Sequence, residues 1–306
     1  MGVKPETPVP SMSPSRPIEW KGVDPPRRPT LFVNPRSGRG AGPRIAQDAR
    51  DRGIGVAEFG PDRRLAKQVD ETVAAGADAL AVAGGDGSLA AVAQAALAHD
   101  LPFVCIPAGT RNHFARDLGL DPTDPTAALD AIHDGIEGRI DVGEVNGRVF
   151  LNNVSLGIYA EAIRHAGYRD AKVRTLLETA RPVLGPATEI STLKVIDDLR
   201  VDHRDPAIVL VSNNPYALGG PLTRSGRPTL SGGQLGVMVI DRPAAGRPPS
   251  GRAWSSASLR IEGSAVVHAG IDGEAMELSP PLEFTVRPAA LRVRTPRRRR
   301  GEVQPV

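Results

Sequence analysis

The sequence predicts an α/β protein with an added β half: an N-terminal doubly wound parallel α/β domain followed by a C-terminal antiparallel β-sandwich. Three observations carry this. Between residues 29 and 135, short apolar runs alternate four times with helical patterns, at the spacing of βαβ units. From about residue 140 the runs alternate apolar and polar residues and follow one another with few helical patterns between them. Asn146-Gly147 lies between two such runs, a strong hairpin signal.

Taken in order, residues 1–28 are rich in Pro and Ser and read as a disordered tail. Their start, "MGVKPETPVPSMSPSRP", has no apolar stretch of the signal-peptide kind. "TLFVNP" (30–35) is the first predicted strand and "AGPRIAQDARDRG" (41–53) a helix ending at Gly53. "GVAEFG" (55–60) is the second strand. The helix "PDRRLAKQVDETVAAG" (61–76) has Pro61 and Asp62 at its start and Gly76 past its end. "DALAVAGG" (78–85) and "LPFVCIPAG" (101–109) are the third and fourth strands, each running into a helix. "DPTDPTAALDAIHDG" (121–135) opens a further helix with capping Asp and Thr residues. Beyond the hairpin come "STLKVIDD", "AIVLVSNN", "LGVMVID" and the long strand-rich tract 258–295. One helical stretch (160–180) interrupts them, and 241–251 reads as a loop. The organisation expected is a nucleotide-binding α/β domain over 29–141, a β-sandwich over 142–295 and a basic tail over 296–306.

Composition narrows the class. Of 306 residues 40% are hydrophobic but only 4% aromatic, so the core must come from Ala, Val, Leu and Ile. The net charge of +3 is concentrated at the C-terminus, where Arg297 to Arg300 are consecutive. Such a tail suits a phosphate-rich surface, an anionic membrane or a nucleic acid. The single cysteine, Cys105, excludes an intramolecular disulfide, fits a reducing cytosol and sits in a strand as a core residue. No run approaches the roughly 18 apolar residues of a membrane span. The six histidines show no metal-ligand clustering, and no GxxxxGK[ST] loop occurs.

The chemistry concentrates at strand ends. Gly84-Gly85-Asp86-Gly87-Ser88 closes the third strand and opens a helix. Ligands of open α/β sheets bind at such carboxyl ends. Glycines there let backbone N–H groups approach phosphate oxygens, and the helix adds its positive end. A carboxylate beside phosphates makes sense when a divalent cation lies between them, which makes Asp86 a candidate metal ligand; the alternative is a tight strand-to-helix turn with Asp86 as the helix N-cap. "IPAGTRNHFARDLGL" (106–120) and "VNPRSGRGAG" (33–42) give the neighbouring strands similar loops, so three phosphate-type loops share one sheet edge.

In order along the chain stand "NPRSGRG", "GGDGS", "PAGTRNHFARDLGL", "RIDVGEV", "NNVSLGIYAE" and "IDGE". This set, spanning Thr30 to Thr295, resembles the diacylglycerol kinase catalytic family of bacterial lipid kinases, related to sphingosine and ceramide kinases. "GGDG" alone is shared with NAD kinases; followed by the "PAGTxNxFAR" pattern it is specific to the lipid kinases. The resemblance implies an NAD kinase/diacylglycerol kinase-like fold, ATP and Mg2+ as cofactors, and transfer of the γ-phosphoryl group to a lipid hydroxyl, diacylglycerol first, in the interdomain cleft. It implies that Asn34, Pro35, Arg36, Ser37 and Gly38 contact the nucleotide. Gly84, Gly85, Asp86, Gly87 and Ser88 would wrap the phosphates, with Gly109, Thr110 and Asn112 beside them, and Asp86 would face the metal. Asp272 or Glu274 would accept the hydroxyl proton. The partner implied is a lipid at the membrane surface, not a nucleic acid, for a cytoplasmic protein that visits the membrane peripherally; a homodimer is compatible. The rivals are a kinase for a soluble acceptor, NAD kinase-like, and a lipid-binding protein that has lost catalysis.

Several positions depart from the family pattern. His113 stands where an Asp usually follows the Asn of the "GTxN" loop, and Arg39 replaces a Lys. "EFGPD" lacks a Thr that often meets the nucleotide. Gly232 replaces the Asp of an accessory magnesium loop, so that site is expected to be absent. Asp141 matches an acidic position of the family's network.

Overall fold

A computed structural model describes residues 17–36, 40–60, 65–157, 193–199, 202–204, 206–217, 226–241, 251–263 and 265–297. The first half runs β1 (Lys21–Gly22), β2 (Pro29–Val33), α1 (Gly42–Asp51), β3 (Gly55–Glu58), α2 (Leu65–Ala74), β4 (Ala79–Gly84), α3 (Asp86–Ala98), β5 (Phe103–Pro107), α4 (His113–Asp117) and α5 (Asp130–His133). The second half is β6 (Gly135–Val145), β7 (Arg148–Phe150), β8 (Asn153–Gly157), β9 (Leu193–Asp197), β10 (Asp202–Arg204), β11 (Pro206–Asn213), β12 (Leu235–Asp241), β13 (Gly251–Ser256), β14 (Ser258–Gly263), β15 (Val267–Ile271), β16 (Glu274–Leu278) and β17 (Leu282–Pro296).

The four strands read from the first half form a parallel array in the order β5-β4-β2-β3. β4 and β5 are buried along their whole length, as strands covered on both faces must be. One face packs on α2, α3 and α4 through Val69, Leu89, Val92 and Phe114; the other packs on α1 and α5 through Ile45, Ala49 and Ile132. Cys105 lies in the first of these cores as a free, buried thiol. The strand order puts the carboxyl ends of β5, β4 and β2 side by side, the edge on which the sequence places its three loops.

The second half is antiparallel. A six-stranded sheet, β13-β12-β11-β8-β15-β16, faces the run β10-β9-β14-β17. Val154, Val209, Val237, Val195 and Phe284 fill the space between them. The hairpin at Asn146-Gly147 joins β6 to β7 with both turn residues at positive φ, +46° and +80°. Asn and Gly tolerate that conformation, which matches the twist of the flanking strands.

The two halves share their backbone. β6 and β17 pair antiparallel over most of their length, from Val145 opposite Phe284 to Gly135 opposite Pro296. One part of β17 pairs with β14 in the sandwich; its far end pairs parallel with β5 in the α/β array. The register shifts between Arg287 and Leu291, where Ala289 takes φ +47°. This bulge turns the ribbon from one layer into the other.

Three details differ from the composition-based reading. Of the tail assigned to 1–28, residues 1–16 lie outside the described residues, and 17–28 are ordered: β1 pairs with β6, and Ile18 and Trp20 pack on the core beside Gly138. Polar anchors fasten it as well: the Arg27 and Arg28 N–H groups donate to the Asp78 carboxylate, and Arg294 donates to the Asp24 carbonyl. Of the loop read over 241–251, residues 242–250 lie outside the described residues, and Gly251 opens the edge strand β13, which pairs with β12. The helix expected from 121 is short, with α5 limited to 130–133. The helical stretch 160–180 and the basic run 298–300 lie outside the described residues.

Candidate active site

At the carboxyl edge the loops after β4 and β5 touch each other, with the loop after β2 beside them in the strand order. A methyl group placed on Gly109 would lie 2.8 Å from the Gly85 Cα and 2.9 Å from Asn112 Oδ1. The loops after β4 and β5 therefore meet backbone to backbone, and only a residue without Cβ permits it. Asn112 fixes the second loop: its Oδ1 accepts the Gly109 N–H (2.7 Å) and its Nδ2 donates to the Gly109 carbonyl (2.9 Å). It does so from a left-handed conformation, φ +52°, which Asn tolerates better than most residues. The first loop is held by Asn34, whose Oδ1 accepts the Arg36 N–H (3.0 Å). Gly42 passes close enough that a Cβ would lie 2.6 Å from the Asn34 carbonyl oxygen.

Gly85 caps α3 in an extended conformation, and Asp86 and Gly87 are the first residues of the helix. Asp86 Oδ1 is buried and has no hydrogen-bond partner. Burial raises the Asp86 carboxyl above the usual range; His113, the Asn152 amide, the Phe114 N–H and Arg111 pull it back. Across the cleft from Gly87 lies Glu274. A methyl on Gly87 would overlap the Glu274 carboxylate, so the first strand residue of β16 reaches the N-terminus of α3.

Asp272 and Gly273 form the turn between β15 and β16, with φ of +48° and +86°. The Asp272 side chain is buried and fully occupied. Oδ2 accepts the Leu151 N–H (2.8 Å), and Oδ1 accepts those of Asn152 (2.8 Å) and Asn153 (3.0 Å). Burial pushes its carboxyl up to about 7, against the pull of the Leu151 and Asn152 N–H groups and with the charge of Asp86 adding. Glu274 is exposed. The two carboxylates of the "IDGE" stretch thus have different surroundings.

The profile of the diacylglycerol kinase catalytic domain matches residues 28–145. A diacylglycerol kinase of Mycobacterium tuberculosis (H37Rv) is 39% identical over 122 residues, 38% of this chain and 40% of that protein. The chain thus spans less than half the length of that relative. A Pseudomonas aeruginosa protein named "Probable lipid kinase YegS-like" is 30% identical over 260 residues, 78% of this chain and 82% of that one. The chain belongs to the diacylglycerol kinase family of lipid kinases. A solved structure of a Bacillus anthracis (Sterne) protein assigned as a diacylglycerol kinase has the same fold, with a TM-score of 0.67 at 21% identity over 89% of this chain and 98% of that one.

Of the residues singled out in this lipid-kinase family member, Asn34, Gly84, Gly85, Asp86, Gly87, Ser88, Gly109, Thr110 and Asn112 gather at one sheet edge, and Asp272 and Glu274 come to it from the second half. Pro35 and Arg36 follow Asn34 on the same loop; Thr110 is exposed beside Gly109. Ser37, Gly38 and Arg39 lie outside the described residues. Asp141 is not at the cleft surface. It is buried, and its carboxylate accepts the N–H of Gly233 (2.7 Å) and of Ala289 (2.9 Å), pinning the 229–233 loop to the β17 bulge. Gly232 donates its N–H to Asn214 Oδ1 (2.7 Å). Among the described residues no three His, Cys, Asp or Glu groups gather to hold an ion, and no helix is long and apolar enough to cross a membrane.

Sequence reasoning missed the polar cluster behind the site. Arg227, fully buried, grips Asp117 of α4 with Nε and Nη2 (2.9 and 2.7 Å to Oδ2). The same guanidinium donates to the carbonyls of Leu151 and Asn213 and to Asn152 Oδ1. Nearby, Asn153 Nδ2 donates to the Tyr216 hydroxyl (3.0 Å). Arg227 sits in a Gly/Pro/Arg-rich loop whose charge reads as solvent-exposed, so no local signal marks it.

Proposed function

We propose that the protein transfers the γ-phosphoryl group of ATP to a lipid hydroxyl, with diacylglycerol the expected acceptor. The observation that carries this reading is the approach of the Glu274 carboxylate to Gly87. It sets a solvent-accessible carboxylate from the β half against a glycine loop that opens a helix, where phosphates bind. Family membership supplies the reaction class.

In this reading the backbone N–H groups of residues 85–88 and 109–110 receive the phosphates, and Asn34 to Gly38 flank the nucleotide. Bound ATP supplies the phosphoryl group. The buried, unpartnered Oδ1 of Asp86 fits a cation such as Mg2+, which is commonly held by one or two carboxylates plus phosphate oxygens rather than by a protein cage. Glu274 takes the hydroxyl proton as the lipid oxygen attacks the γ-phosphorus and the bond to the β,γ-bridging oxygen breaks. Asp272, with three N–H groups on its carboxylate, acts by holding residues 151–153 and the turn that presents Glu274. The lipid enters from the membrane surface, where basic residues add about 1 kcal/mol each of attraction to anionic lipid.

The test is transfer of labelled phosphate from ATP, with Mg2+, to mixed micelles of diacylglycerol, monoacylglycerol, ceramide, sphingosine or phosphatidylglycerol. A labelled lipid that disappears in Asp86→Ala and Glu274→Ala is the expected result. ATP binding without any labelled lipid would point instead to a soluble acceptor, and no ATP binding to a non-catalytic lipid-binding protein.

A further inference from the structure

Among the described residues Arg227 makes no hydrogen bond to the glycine loops or to Glu274, yet its side chain is fully buried and makes hydrogen bonds to four different residues. Its contacts with three of these residues are ordinary anchoring. The pairing with Asp117 ties α4, which directly follows the 109–112 loop, to the second half of the chain across 110 residues of sequence. The bonds to the Leu151 and Asn213 carbonyls fix the backbone around β8 and β11.

The contact with Asn152 has a different consequence. A guanidinium only donates, so Nη2 at 3.1 Å selects the oxygen of the Asn152 amide and turns its NH2 group the other way. That NH2 group faces the Asp86 carboxylate. Asn152 is buried, and its own N–H is committed to Asp272. One side chain therefore stands between a fixed cation and the carboxylate at the head of α3, and its orientation is set from behind. Without Arg227 the amide could rotate and present its oxygen to Asp86, leaving two acceptors face to face.

We propose that Arg227 is a positioning residue for phosphoryl transfer: by fixing the Asn152 amide it fixes the direction of the Asp86 carboxylate. This rests on the reading of Asp86 as the carboxylate facing the nucleotide phosphates.

The decisive comparison replaces the buried ion pair as a unit. Arg227→Met alone strands Asp117 in the interior and risks misfolding, whereas Asp117→Leu/Arg227→Met removes both charges and keeps the volume apolar. This pair variant, Asn152→Ala and their combination are compared with the wild-type protein. Three quantities are read: the thermal midpoint, the kcat for labelled phosphate transfer to lipid, and ATP affinity with and without Mg2+ by calorimetry.

The expected result is a pair variant that unfolds cooperatively near the wild-type midpoint yet has kcat reduced at least tenfold, with the KM for lipid unchanged. Its gain in ATP affinity on adding Mg2+ shrinks, Asn152→Ala behaves alike, and the combination is no worse than the poorer of the two, because both act through one amide. Wild-type kcat and Mg2+ response in the pair variant would overturn the proposal, as would losses that multiply in the combination. If the wild type binds ATP but labels no lipid, the acceptor reading fails separately, and the same cycle is judged on ATP affinity and its Mg2+ response. If the wild type binds no ATP, both fall.

Discussion

Gly87 is the residue at which the two halves of the site meet. Its missing side chain leaves the space that the Glu274 carboxylate occupies. Glu274 is long and exposed, so Gly87→Ala is accommodated by swinging the carboxylate aside rather than by moving backbone. The expected outcome is a thermal midpoint within a few degrees of wild type and a rate of lipid phosphorylation at least tenfold lower; an unchanged rate would separate Glu274 from the reaction. Asp272 makes a different prediction. Its carboxyl is raised from 3.8 to about 7, so between those values the folded protein binds more protons than the unfolded chain. The contribution of this group to stability is full below pH 3.8 and is lost as pH rises through about 7. Asp272→Asn does not titrate, so the stability advantage of wild type over this variant should narrow between pH 5 and 8. Denaturant unfolding of both proteins across that range measures it; a pH-independent difference would contradict the raised value.

At the scale of elements, the loops and the ribbon divide the work. The loops after β4 and β5 are legible in the sequence because their glycines serve backbone geometry that is local to each turn. The long ribbon β6–β17 is not: "RIDVGEV" and "PLEFTVRPAALRVRT" read as ordinary strands, and nothing in their alternation says that they pair with each other or cross from one layer to the next. Asp141 marks the crossing. It holds the bulge at Ala289 and the loop at Gly233 through two buried oxygens. Asp141→Ala would leave both N–H groups without that partner, at a cost of about 1–3 kcal/mol for each one left unsatisfied. We expect a clearly lowered unfolding free energy, measured in denaturant, and increased amide exchange at residues 233 and 289 before other parts of β17. Unaltered exchange at both would show that water replaces the carboxylate.

For the molecule as a whole, the shared ribbon predicts one cooperative transition. The chain has two tryptophans, one on each side of the crossing. Trp20 packs on the core of the α/β half and Trp254 on that of the sandwich. Trp20→Phe and Trp254→Phe leave one reporter each, and their fluorescence transitions in denaturant should coincide. Separated midpoints would mean that the halves unfold independently despite β6 and β17. The same architecture bears on the site, because a ribbon anchored in both layers fixes the distance between the glycine loops of one and the β15–β16 turn of the other.

The alternation of the first half, the hairpin at Asn146-Gly147, the antiparallel character of the second half and the glycine loops with Asp86 among them are all legible in the order of residues. These follow from apolar spacing and turn chemistry, which act over a few residues. The ordering of residues 17–28 escaped such a reading because Pro-rich composition outweighed the apolar Ile18 and Trp20. That Asp272 is buried under three N–H groups while Glu274 reaches Gly87 emerges from packing alone, since neighbouring residues of a tight turn face opposite ways and nothing local says which faces the cleft. Packing likewise brought Arg227 to Asp117 and Asn152. A charged side chain in a loop carries no mark of burial, and its partners come from segments that meet only when both sheets have formed.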